Sequence, residues 1–140
     1  MTKPVGVTAS AGVQIGVRRT LKMTQEQAWQ YLLSSSGLKL WLGDLEKLNL
    51  EPGQRYAAND GTLGEMRVVK PYEQLRMTWQ RGGWEKPSTL QIRLLPASGG
   101  RTTVSFHQEK LADLAVREEM KLRWENVLTH FEEYAERMSG

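Results

Sequence analysis

The chain contains no cysteine. That excludes disulfides, thiolate metal sites and a cysteine nucleophile, and it fits a reducing interior, so a cytoplasmic location is expected. Apolar runs are short, and none approaches the roughly 18 residues of a membrane-crossing helix. Lys3 near the amino-terminus is not followed by an apolar stretch, so neither a signal peptide nor a membrane span is expected. The net charge of +3 is scattered, with Arg18–Arg19 the only adjacent basic pair. A nucleic-acid-binding surface needs a basic stripe or basic residues interleaved with aromatics, and neither is present, so no nucleic acid is expected as a partner. Histidine is scarce: His107 and His130 are the only two, far apart and without a neighbouring carboxylate set, which argues against a metal site. There is no Gly-x-Ser-x-Gly elbow and no phosphate-cradling loop. Gly82-Gly83 and Gly99-Gly100 read as turns, because neither opens a helix.

The 140 residues, 39% hydrophobic and 25% charged, suit one globular domain. Residues 1–11 are small and polar and read as a loose lead-in, leaving 12–140 as the domain. Its clearest element is the last. From Asp113 to Met138, Met120, Trp124, Val127, Phe131, Tyr134, Ala135 and Met138 recur on one helical face, extended backwards by Val116. Glu118, Glu119, Glu125, Glu132, Glu133, Glu136 and Arg137 take the other side. A helix this long spans roughly 39 Å and must lie against something of similar size.

What precedes it supplies that surface. Gly12–Leu21 alternates and predicts a strand. Thr24 with Gln27 forms a capping box ahead of Ala28, Trp29, Leu32 and Leu33 at helical spacing. Ser34-Ser35-Ser36-Gly37 breaks that helix, and Leu38 to Leu42 form a second short helical turn stopped by Gly43-Asp44. The period then changes to two. Strands are predicted over Glu46–Leu50, Arg55–Ala58, Gly64–Lys70, Gln74–Gln80, Ser88–Leu95 and Thr102–Gln108, separated by Pro, Gly and Asn-Asp turn signals. Leu75, Met77 and Trp79 share one face, as do Leu90, Ile92 and Leu94, and Val104 with Phe106. The expected class is α+β: a curved antiparallel sheet, in the order strand, two helices, six strands, gripping a long C-terminal helix.

The order and spacing of several pieces resemble a known family. They are Thr24 to Trp29 in the first helix, Trp41 in the second, and Gly64 to Pro71 followed by Leu75 and Trp79. Thr102 to Gln108 in the last strand and Trp124, Leu128, Phe131 and Tyr134 in the terminal helix complete the set. Over residues 12 to 138 the chain is similar to the SRPBCC superfamily (START-related, birch-pollen-allergen-like helix-grip proteins). Within it, the chain resembles the C-terminal domain of the activator of heat-shock-protein-90 ATPase and its bacterial relatives. The resemblance implies the helix-grip fold and an internal cavity, without naming a job, since the fold hosts lipid carriers, receptors, cyclases and chaperone regulators.

Trp41, Tyr56, Met66, Met77, Trp79, Phe106, Trp124 and Phe131 are expected to converge between sheet and helix. Rigid aromatics with adaptable methionines suit a small hydrophobic or aromatic ligand, and equally a plain packed core. His107 falls on the outward side of the Val104/Phe106 alternation unless a bulge turns it in. Arg117 falls near the edge of the inward stripe, with Asp113 its one local acidic partner. These two are the candidates for a cyclase- or hydrolase-like activity, with the structural reading placed ahead for each. Trp84, in a strand-connecting loop, reads either as an exposed partner contact or as a plug folded back over the cavity. Binding of a small hydrophobic molecule without cofactor or metal is the leading expectation. A protein-interaction module with a chaperone partner comes second, and an enzyme third.

Overall fold

The computed structural model describes residues 7–8, 12–45 and 47–139. Elements follow in the order β1 (Val7–Thr8), β2 (Gly12–Leu21), α1 (Gln25–Leu33), α2 (Ser35–Trp41), β3 (Arg55–Ala57), β4 (Leu63–Lys70), β5 (Gln74–Trp79), β6 (Ser88–Ala97), β7 (Arg101–Leu111) and α3 (Leu114–Ser139). The strands form one antiparallel sheet in the order β1-β2-β7-β6-β5-β4-β3. In chain order α1 and α2 fall between β2 and β3, and α3 packs across the sheet chiefly against β2 and β7. This is the helix-grip arrangement.

Local chemistry sets the helix boundaries. Thr24 Oγ1 accepts from the Gln27 amide at 3.1 Å, and Gln27 Oε1 accepts from the Thr24 amide at 2.9 Å, completing the capping box. Ser34 ends α1 and starts α2 in one residue, its hydroxyl donating to Tyr31 O and accepting from the Gly37 amide. A Cβ at Gly37 would stand 1.9 Å from Tyr31 O, so this helix–helix corner admits only glycine. Asp113 begins α3, its Oδ1 accepting from the Val116 amide at 2.8 Å.

Two strand expectations change. Glu46–Leu50 is not a strand: residues 47–50 carry no ladder, although Leu48 is buried, and Asn49 Oδ1 accepts from the Glu51 amide in a local turn. Glu46 itself lies outside the described residues. A strand appears instead within the expected lead-in, where Val7 pairs with Val13 and Thr8 with Gly12. The rest of 1–11 lies outside the described residues. Met138, placed on the inward face by periodicity, is 54% exposed because it falls in the last turn of α3.

The last strand carries a bulge. Val13 pairs with Leu111 but Ile15 pairs with Gln108, so β7 has one extra residue there, and Lys110 takes a left-handed φ of 64°. Thr102, Val104, Phe106 and Gln108 point inward, and the bulge returns Leu111, rather than Lys110, to the interior.

Candidate functional site

Between the sheet and α3 lies a continuous aromatic layer. Trp41, Met66, Met77, Trp79, Phe106, Trp124 and Phe131 are fully buried, and Tyr56 is nearly so. Trp124 stacks on Phe106 with centroids 5.1 Å apart and meets the edge of Trp79 at 5.6 Å. Phe131 packs edge-on against Tyr31 at 4.8 Å, and Tyr31 stacks on Tyr134 at 4.3 Å. All eight predicted residues are buried, Trp41 on α2, Tyr56 on β3 and the others on the sheet or α3, and in this conformation much of the interior is taken by their own side chains. Of the eight, Tyr56 alone lines one of the main clefts, a groove on the β3–β4 side with Arg55, Leu63 and Arg67.

Polar atoms inside the layer are tied together. Trp41 donates its indole N–H to Leu32 O at 2.9 Å, and Trp79 to Trp41 O at 3.2 Å. Trp124 donates to Gln108 Oε1 at 2.9 Å, Gln108 Nε2 donates to Ser88 Oγ at 2.9 Å, and Ser88 donates to Trp79 O at 2.6 Å. A buried indole N–H needs such a partner, and each of the three has one.

Trp84 folds back on the buried layer and is half-buried rather than exposed. Its ring meets Trp79 edge-on at 5.4 Å, and its carbonyl accepts from Gln80 Nε2 at 2.7 Å. It also lines a cleft of about 400 Å³ with Gly83, Glu85, Lys86 and Ala112. The half-buried indole thus touches both the cleft and the buried layer.

The sequence reading missed Arg123. Its guanidinium lies over both Trp79, 5.2 Å from the centroid, and Trp124, at 5.6 Å. Its one hydrogen bond is a long one, 3.4 Å from NH2 to Leu40 O in the last turn of α2, and Nε is buried without a partner. Burial pushes its pKa down, the charge of Arg81 adds to that, and Asp60 opposes both, though an arginine remains cationic throughout. The signal was present: Arg123 sits one turn after Met120 and one turn before Val127, a charge inside an apolar stripe.

His107 and Arg117 lie elsewhere. The bulge follows His107 rather than preceding it, so the ring stays on the outer face, where Nε2 meets Gln14 Oε1 at 2.9 Å. Arg117 donates from Nε to Gln14 O and from NH1 to Glu118 Oε1, both at 2.8 Å. Asp113 is thus not its side-chain partner. Both candidates converge on Gln14, and neither lines one of the main clefts. Among the described residues, no group of three His, Asp or Glu is placed to hold a metal, and no helix is long and apolar enough to cross a membrane.

Comparison with known proteins gives a family and a set of folds. Residues 22–136 match the family model described as Activator of Hsp90 ATPase homolog 1-like protein. No functionally curated protein matches the chain. Among solved structures, CalU16 from Micromonospora echinospora superimposes with a TM-score of 0.74 at 20% identity, covering 94% of this chain and 84% of its own. CV1439 from Chromobacterium violaceum gives 0.71 at 24% identity, covering 88% of this chain and 97% of its own. An HSP90 activator from Plasmodium falciparum gives 0.61 at 16% identity, covering 70% and 73%. These likenesses establish the fold.

Proposed function

Because the chain belongs to the Activator of Hsp90 ATPase homolog 1-like family of the SRPBCC superfamily, we propose that it binds a small hydrophobic or aromatic molecule between its sheet and α3. One observation carries this reading: the Trp84 indole both lines a cleft of about 400 Å³ and meets Trp79 of the buried aromatic and methionine layer. The Trp84 ring already makes the edge-on contact with Trp79 that a ligand ring would make. A ligand therefore exchanges with Trp84 rather than filling a permanent void, and the contact it displaces is the contact it restores. Gly82 and Gly83 precede the indole, and Gly83 has a left-handed φ of 91° with open space around it, which suits a segment that swings. The driving force is burial of apolar ligand surface, roughly 25 cal/mol per Å².

The neutral probe N-phenyl-1-naphthylamine tests the reading. Saturable binding at one site per chain, with quenching of tryptophan emission, is expected, and Trp84→Ala is expected to speed association. Emission that rises without saturating, with no quenching, would exclude the site. Native mass spectrometry of the freshly purified protein adds an independent readout, since a carried ligand appears as extra mass lost on denaturation.

A second reading is a protein-interaction module with a chaperone partner. It is supported by the description of the matched family and by the outer face of α3, where Leu122, 69% exposed, stands beside Glu118, Glu119 and Glu125. A pull-down in which Leu122→Glu abolishes retention of the chaperone would favour it.

A further inference from the structure

Resting on the ligand-binding reading above, we propose that Arg123 anchors an oxyanion of the ligand, so that the molecule bound is an aromatic or apolar acid rather than a neutral hydrocarbon. A guanidinium offers five N–H donors in a planar fork. Here one of them makes a long bond to Leu40 O, and Nε is buried with nothing to donate to. Among the described residues, no carboxylate oxygen lies within ion-pair distance of Arg123. Of the nearby charges, Asp60 favours the charged form of Arg123 from beyond ion-pair distance while its Oδ1 accepts from the Thr62 amide at 3.0 Å, and Arg81 faces Glu119 at 3.4 Å.

The placement suits recognition. Trp79 and Trp124 both lie beneath the guanidinium carbon, at 5.2 and 5.6 Å from their centroids, and neither ring offers its N–H groups an acceptor oxygen. Trp79 also meets the Trp84 ring, so a ligand ring seated in place of Trp84 shares Trp79 as a neighbour with Arg123. The indole N–H groups of Trp41, Trp79 and Trp124 are already bonded inside the protein, whereas Nε of Arg123 beside them is not. A carboxylate or sulfonate accepting from Nε and a terminal nitrogen makes the bidentate pair that arginine favours. The competing role is a purely structural cation at the C-terminus of α2, where Leu40 supplies its carbonyl. That role uses one donor, leaves Nε unexplained, and takes no account of ligand charge.

Two probes of nearly the same shape separate these possibilities: neutral N-phenyl-1-naphthylamine and its anionic counterpart, 1-anilinonaphthalene-8-sulfonate. The wild-type protein is expected to bind the anion roughly tenfold or more tightly than the neutral probe, and Arg123→Met to bring that ratio to about one with neutral binding retained. Arg123→Lys is expected to recover part of the preference, since it restores the charge but not the fork. Equal affinities in the wild type would overturn the anion assignment and leave the binding reading standing. A preference unchanged in Arg123→Met would overturn it too, placing the cation at Arg81 or Lys86. Failure of both probes to bind would overturn the binding reading and this assignment with it. Neutral-probe binding in each variant reports that the fold and the layer are intact.

Discussion

Trp124 donates its indole N–H to Gln108 Oε1 at 2.9 Å, and this bond fastens the middle of α3 to the centre of the sheet. The Gln108 amide in turn donates to Ser88, so one fully buried side chain satisfies a helix and the neighbouring strand together. Replacing it with an apolar residue of similar size leaves the Trp124 N–H without its acceptor and Ser88 without its donor. Gln108→Leu is expected to lower unfolding free energy by about 1–3 kcal/mol, read from urea midpoints, with the fold retained. A midpoint equal to that of the wild type would show that water or a shifted partner satisfies the indole.

The aromatic layer should show unequal importance among its rings. Trp79 and Trp124 are fully buried, and truncating either opens a cavity that rigid neighbours fill poorly. Trp79→Ala or Trp124→Ala is expected to cost about 3–5 kcal/mol. Trp84 is half-buried on a loop with one ring contact, and Trp84→Ala should cost markedly less, about 1–2 kcal/mol. Melting temperatures of the three variants decide it. Equal losses would make Trp84 a core residue rather than a displaceable plug.

Much of this layer was legible because its residues obey a period. The stripe Met120, Trp124, Val127 and Phe131 and the alternations through Met77, Trp79, Val104 and Phe106 each predict a face, and two such faces in one small domain must meet. The segment 47–50 misled for the same reason. Leu48 and Leu50 alternate with Lys47 and Asn49, but Asn49 closes a turn on Glu51, and four residues of alternation cannot distinguish a strand from an irregular run with one buried leucine. Val7–Thr8 had too few residues to show any period. The site was less legible than the fold. Arg123 was passed over because charge on a helix is usually solvated, and its role needs the Trp79 ring from a distant strand. Gln108 lay on the inward alternation, but only the position of the bulge at Lys110 settles that the alternation continues that far.

Gly64 provides a test of the β4–β5 junction. A Cβ there would lie 1.9 Å from Thr78 O and 2.5 Å from the Tyr56 hydroxyl oxygen, so both the strand backbone and the buried phenol would have to move. Gly64→Ala is therefore expected to be severely destabilising, by about 3 kcal/mol or more, with Tyr56 displaced. Loss of the cooperative melting transition would agree with this. A stability within 1 kcal/mol or so of the wild type would show that β4 slides freely at this point.

Alkaline stability tests the burial of Tyr56 itself. Its hydroxyl donates to Thr78 O, its side chain is 7% exposed, and burial pushes the phenol well above its ordinary value of 10.0. Below that value both folded and unfolded chains hold the proton, so the contribution to stability is complete and flat. Above it the unfolded chain ionises while the folded chain does not. The unfolded state then binds fewer protons, and stability falls as pH rises, by at most about 1.4 kcal/mol per pH unit for one such group. Tyr31 acts in the same direction, since burial raises its pKa against the opposing charge of Arg137. Tyr56→Phe should lose the hydrogen bond at neutral pH yet show a shallower decline when urea midpoints are followed from about pH 8 to about pH 11. If the two declines run parallel, Tyr56 ionises as readily folded as unfolded, and its hydroxyl must then reach water.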